Sequence, residues 1–159
     1  LEGVPASVLD DVARSVTVTD GVQELVDAVH ASGGIVGAVS GGFHEVLDPL
    51  AERLGLDRTL ANRLGVDRGH LTGLVVGPIV DAAAKRDALH RWAAEQDVPL
   101  SATVAIGDGA NDLLMLEDAG VGVAFCAKPI VRERVSVHVD EPDFRHVLAL
   151  LQAESVSER

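Results

Sequence analysis

The sequence predicts an α/β fold built on a mostly parallel sheet, and three observations predict it. Stretches of helical periodicity alternate with short, apolar, β-branched runs, the pattern of parallel strands joined by helical crossovers and covered on both faces. Polar clusters fall where those runs end, at Ser40-Gly41-Gly42, at Asp108 to Asp112 and at Ala127-Lys128-Pro129. In open α/β sheets ligands sit beyond the carboxyl ends of the strands. The 159 residues are 47% apolar and 24% charged, enough for one domain with a core. With one Trp, three Phe and no Tyr, that core must be built from Val, Leu, Ala and Ile.

The elements follow in order. PASVLDDVARSV (5–16) reads as a short helix with Pro5 near its start. A second helix follows, with Thr19 as its candidate cap and Val22, Leu25, Val26 and Val29 at i, i+3, i+4 and i+7. Ser32-Gly33-Gly34 ends it. IVGAVS (35–40) reads as a buried parallel strand, and the two glycines after it as a turn. The next helix, through LAERLG, carries Leu47, Leu50, Ala51 and Leu54 on one face; Pro49 either starts it from Asp48 or kinks it. Residues 59 to 80 break the alternation with short apolar pieces and the turn signals DRG and TG, a small β excursion. AAAKRDALHRWAAEQ is a helix with Leu89, Trp92 and Ala93 on one face. ATVAIGD is a strand, NDLLMLEDAG a helix ended by Gly120, VGVAFCA a strand, PIVRER a helical turn and VSVHVD a strand. A last helix starts at Asp143, with Phe144, Val147, Leu148 and Leu151 on one stripe; residues 152–159 are expected to form a flexible tail.

Composition excludes several classes. The net charge of −12 argues against nucleic acid or an anionic membrane surface as partner. It leaves room for a small phosphorylated substrate, because screening confines surface charge to about 8 Å. No apolar run approaches the roughly 20 residues of a spanning helix, and LEGVPASVLDD lacks the features of a signal peptide. Cys126, the single cysteine, allows no intrachain disulfide, which fits a cytoplasmic setting. The sequence does not begin with Met and is expected to be a piece of a longer chain.

Three places carry residue types suited to chemistry. Ser40 closes a strand before two glycines: a hydroxyl beside free backbone N–H groups makes a phosphate cradle, and equally an N-cap with its turn. Lys85 sits among alanines near a helix start, against the dipole; it is either a solvated surface residue or a cation held there for an anion. Arg86 beside it reads as facing water. In GDGANDLLML, Gly107 and Gly109 bend the chain after the strand. Asp108 then stands at the strand end, where a hard cation such as Mg²⁺ accepts carboxylate oxygens. Asp112 opens the next helix, where a carboxylate can cap the N-terminus, and Asn111 could equally be the cap. Crowding these groups at one turn is costly without a cation or donors. The six histidines show no metal-ligand spacing and read as ordinary surface or core residues, and Cys126 reads as a small buried hydrophobe. Neither a Gly-x-Ser-x-Gly turn nor a Walker sequence is present.

Together, Ser40, Lys85 and the pair Asp108 and Asp112 resemble motifs II, III and IV of the haloacid dehalogenase superfamily of phosphotransferases, in the right order and on the expected elements. AVSGGF, LGLDRTLANRL, LTGLVVGPIVDAAAK, VAIGDGANDLLML and AGVGVAFCAKP narrow the resemblance to its phosphoserine phosphatase family, over roughly residues 17 to 150. The resemblance implies a Rossmannoid three-layer sandwich, with residues 1–16 as the remnant of a small helical cap and 17–151 as the core. It implies Mg²⁺-dependent hydrolysis of O-phosphoserine in serine biosynthesis. An Asp nucleophile forms an aspartyl-phosphate, and a second Asp, two residues on, serves as acid and base. Asp108 is implied as a Mg²⁺ ligand, with Asp112 supporting the metal or its waters. Ser40 and the Gly41 N–H are implied to bind phosphoryl oxygens, Lys85 to neutralise the transferring group, and Asn111 to reach the substrate or phosphate.

One motif departs from the pattern. The nucleophile and acid/base come from an Asp-x-Asp after the family's first strand, and this sequence contains none. VTVTDG (16–21) ends in Asp20 but lacks the second Asp, and Asp20 reads as a helix-start residue. The implied first strand lies between the strands of motifs II and IV, so each is expected to keep an unpaired inner edge. The isolated 159 residues are therefore expected to be inactive and incomplete as a folding unit. The missing segment would come from another part of the same gene product, another chain or a swapped partner, as in a homodimer. The alternatives are an inactive phosphate- or metal-binding fragment and a related phosphatase with another phosphomonoester.

Overall fold

The computed structural model describes residues 1 to 157, with side chains to residue 153. The chain order is α1 (Val8–Ser15), α2 (Val22–Ala31), β1 (Gly37–Phe43), α3 (His44–Leu54), β2 (Arg58–Asp67), β3 (His70–Val76), α4 (Ala82–Glu95), β4 (Val104–Gly107), α5 (Leu113–Asp118), β5 (Val121–Phe125), α6 (Pro129–Arg132), β6 (Val137–Val139) and α7 (Phe144–Ser157). The class is the predicted one: among the described strands β1 pairs with β2, β4 with β5 and β5 with β6 in parallel, while β2 and β3 run antiparallel. Two compact units share the chain. The first holds residues 1–18 and 29–80, the second 19–28 and 81–159, and the division falls within α2. Of the expected tail, α7 continues through Ser157, and Glu158 and Arg159 lie outside the described residues.

In the first unit the sheet order is β1-β2-β3. The expected β excursion is the β2–β3 hairpin, closed by the two-residue turn Arg68-Gly69 with φ of 48° and 80°. Two positive φ values match the right-handed twist of the flanking strands. Leu9 of α1 packs with Leu64 and Leu71 of the hairpin, and Val4, Ala6, Phe43 and Val46 close around them. One expectation needs correction, and one open choice is decided. The strand predicted at 35–40 begins at Gly37 and runs on through both glycines to Phe43. Its register against β2 passes from Val39↔Leu60 to Phe43↔Asn62, so four residues of β1 span two of β2. The glycines thus form a bulge within the strand instead of ending it. Pro49 lies inside α3, which already starts at His44; the ring removes one backbone donor from the helix without ending it.

In the second unit the order is β4-β5-β6, in register at Val104↔Val121, Gly107↔Ala124 and Val123↔Val137. Val123, Val139 and Val147 are buried at its centre, with Ile106, Phe125, Phe144 and Leu151 packed against them. The rings of Phe125 and Phe144 stand 4.3 Å apart between centroids. On α4 the fully buried position is Ala88, and the buried face takes in Lys85 and Ala93, while Leu89 and Trp92 are half-buried. Among the described residues no helix is long and apolar enough to cross a membrane.

Candidate active site

The second unit collects Lys85, Asp108, Asn111 and Asp112. After β4 the chain enters a 3-10 turn, Ala110–Asp112, that leads into α5. The Asp112 carboxylate folds back over this turn: its Oδ2 accepts the N–H groups of Asp108 (3.1 Å) and Gly109 (3.0 Å). Gly107 is glycine for want of room. A Cβ there would stand 2.6 Å from the Asp112 Cβ and 2.7 Å from its carboxyl carbon. The other oxygen, Oδ1, accepts from Lys85 Nζ at 2.7 Å. Lys85 and Asp112 are each only 6% exposed. A buried ion pair holds only where further hydrogen bonds satisfy its members, and here two backbone donors do so for Asp112.

Lys85 stands in the first turn of α4, where the dipole disfavours a cation. Asp81 caps that turn by accepting from the Ala84 N–H at 2.8 Å, and Asp112 neutralises the ammonium directly. Lys85 is therefore not the solvated surface residue that sequence allowed. Arg86 pairs with Asp87 at the surface.

Asp108 is the complement of Asp112. It is exposed, and none of the described residues donates to its carboxylate. Its carbonyl accepts from the Lys128 N–H at 3.0 Å, which ties the loop after β5 to the turn after β4. Asn111 is exposed beside it. Among the described residues no group of three or more His, Cys, Asp or Glu is placed to hold a metal. An unengaged carboxylate still fits Mg²⁺, which takes one or two carboxylates and draws its other oxygens from water and phosphate.

Ser40 and Gly41 lie in the first unit, in the bulge of β1. Ser40 Oγ accepts from the Gly42 N–H at 2.9 Å, which leaves its own proton free to donate. Asn62 holds the same bulge from β2. Its side-chain N–H₂ donates to the Gly41 carbonyl at 2.9 Å, and its Oδ1 accepts from the Val80 N–H at 2.8 Å. Asn62 is 6% exposed. Sequence reasoning missed it, although a lone amide inside the run TLANRL was a signal: a buried polar side chain needs partners. His44 was missed too. It is buried, accepts the Ala61 N–H at its Nε2 (3.0 Å) and therefore carries its proton on Nδ1, toward Asp48 Oδ1 at 2.7 Å.

Cys126 corrects its expectation. It is exposed and holds φ of 45°, one residue beyond the end of β5. The apolar run that suggested burial stops before the thiol does.

The family model of haloacid dehalogenase-like hydrolases matches residues 1–117. The phosphoserine phosphatase of Lactococcus lactis is 47% identical over 152 residues, covering 96% of this chain and 69% of that protein. That of Streptomyces coelicolor is 53% identical, covering 95% of this chain and 37% of its own length. A solved structure described as a phospho-aspartyl intermediate analogue of phosphoserine phosphatase superposes with a TM-score of 0.89 at 38% identity, over 94% of this chain and 72% of that one. The sequence resemblance and the fold class it implied agree with these likenesses.

Proposed function

We propose, from the premise that this chain belongs to the haloacid dehalogenase-like hydrolase family, that it supplies motifs II to IV of a Mg²⁺-dependent phosphoserine phosphatase acting in the cytoplasm in serine biosynthesis. The observation that carries the proposal is the division of labour in the Asp108 turn. Asp112 is engaged on both oxygens by Lys85 and two backbone amides, while Asp108 is held in place by its backbone with its carboxylate left open.

Each residue then has a task. Asp108 offers a carboxylate oxygen to Mg²⁺, and Asp112 orients that turn and the waters beside it. When bound, Mg²⁺ screens the phosphate from a carboxylate nucleophile so that two anions can approach. Ser40 donates its hydroxyl proton, and Gly41 its N–H, to phosphoryl oxygens. Asn62 sets the direction of the Gly41 peptide through its carbonyl. Lys85 brings positive charge to the transferring group from within its pair with Asp112, and Asn111 contacts substrate from the exposed side of the turn. The relatives' names support O-phosphoserine as substrate, and the phospho-aspartyl analogue supports an aspartyl-phosphate route.

The attacking Asp and the acid/base are not among these residues, for the sequence has no Asp-x-Asp. That absence favours one second reading, a fragment that binds phosphate or metal without turnover. Phosphate release from O-phospho-L-serine by the full-length protein decides between them. The enzyme reading expects Mg²⁺-dependent release that falls at least about a thousandfold in Asp108→Ala. No release from a preparation with its upstream segment intact leaves the second reading.

A further inference from the structure

We propose that Lys128 is the cation that draws the substrate's phosphate to the Asp108 turn, and so a specificity-determining residue for dianionic phosphomonoesters. The inference rests on the proposal that this turn handles a phosphomonoester. It starts from the sheet. β4 and β5 are parallel neighbours with Gly107 opposite Ala124, so the segments that follow them leave the sheet at the same carboxyl end.

The loop carrying Lys128 is pinned on both sides. Cys126 takes the left-handed conformation and donates its N–H to the Val139 carbonyl at 2.7 Å, on the β6 side. Lys128 donates its N–H to the Asp108 carbonyl at 3.0 Å, on the β4 side. Pro129 then starts α6, anchored by Val131, which is fully buried. A loop tied at three successive points holds the Lys128 backbone beside Asp108, while its side chain is exposed.

The charges around it single it out. A phosphomonoester brings two negative charges to a turn that already carries the Asp108 carboxylate, in a chain of net charge −12. Of the chain's two lysines, Lys85 is buried and tied to Asp112 at 2.7 Å, so it is not free to reach out for an incoming phosphate. Of the cations that follow β5 closely, Arg132 pairs with Asp140 and Arg134 with Glu117. Lys128 has no carboxylate partner among the described residues. An ammonium on a flexible stem follows a point-like phosphate charge without the fixed geometry a guanidinium requires, and such charge-assisted contacts are the strong ones.

The test uses the full-length protein with MgCl₂, titrated with inorganic phosphate at low and at high salt, alongside kcat and KM for O-phospho-L-serine. Lys128→Met is expected to weaken phosphate binding about tenfold at low salt, with the deficit shrinking at high salt as screening grows. KM should rise by a similar factor with kcat changed less than about twofold, and Lys128→Arg should restore most of the affinity. Unchanged phosphate affinity in Lys128→Met overturns the proposal, as does a deficit equal at both salts or a parent protein that binds no phosphate. Phosphate binding that depends on Lys128 in a protein that does not hydrolyse O-phospho-L-serine refutes the enzyme reading and leaves the Lys128 site standing.

Discussion

A buried ammonium is stable only beside an anion that cannot relax away from it, and Lys85 has such a partner. Asp112 is held by two backbone N–H groups and by the lack of any side chain at Gly107, so its Oδ1 stays 2.7 Å from Lys85 Nζ. Removing one partner leaves an uncompensated buried charge, which costs more than removing both. Lys85→Met is accordingly expected to lower the unfolding free energy by about 3–5 kcal/mol. Lys85→Met with Asp112→Asn should recover more than half of that, because the amide oxygen still accepts the two N–H groups without a charge. Urea unfolding of the two variants against the parent checks both values. Sequence nominated Lys85 and Asp112 separately, yet their bond was not legible. They are 27 residues apart, and their meeting depends on how α4 packs beside α5, which no local pattern encodes. The thiol of Cys126 was misread for a related reason: an apolar run marks where a strand lies but not the residue at which it ends.

At the scale of elements, hydrogen bonds to carboxylates fix where strands begin. Asp57 precedes β2, and its Oδ2 accepts from the Val36 N–H at 2.7 Å, just before β1, and lies 2.8 Å from His30 Nε2. Its own N–H donates to the Val36 carbonyl at 2.8 Å. Burial pushes the Asp57 carboxyl up, but the Val36 N–H and then His30 outweigh it and hold it below the usual carboxylate range. The depressed folded value means stability that is fully present above the unfolded value of about 3.9 and is lost as pH falls through the folded one. Asp57→Asn is therefore expected to be less stable than the parent by about 1 kcal/mol at pH 7, with the gap closing below about pH 4. Unfolding curves at neutral and acid pH check this; a gap that stays constant into acid rules out the charge as its source. The start of β1 was nearly legible from its β-branched residues, but its end was not. Glycines after a strand signal a turn and a bulge equally well, and only the partner strand, here through Asn62, decides between them.

At the scale of the whole molecule, the two sheets end on the strands that carry the proposed chemistry. β1, with Ser40 and Gly41, is an edge of β1-β2-β3, and β4, leading to Asp108, is an edge of β4-β5-β6. The parallel α/β class was legible because hydrophobic periodicity reports it directly. The division of the chain within α2 was not, since a helix keeps one periodicity across the boundary. An apolar edge strand is a site that seeks another strand, and β4 is short, with Ala105 buried and Val104 exposed. The proposed enzyme needs a segment with an Asp-x-Asp, and a strand added to either sheet would cover that sheet's open edge. Hydrogen exchange tests this on each strand separately. In the isolated 159 residues, amides of β1 and β4 with no acceptor within their own sheet are expected to exchange within the dead time, and the thermal transition should be broad. In the full-length protein the same amides should be protected by a factor of at least about a hundred, the equivalent of a local opening energy near 3 kcal/mol. A sharp, cooperative transition in the isolated chain, with those amides already protected, overturns the requirement for an added strand.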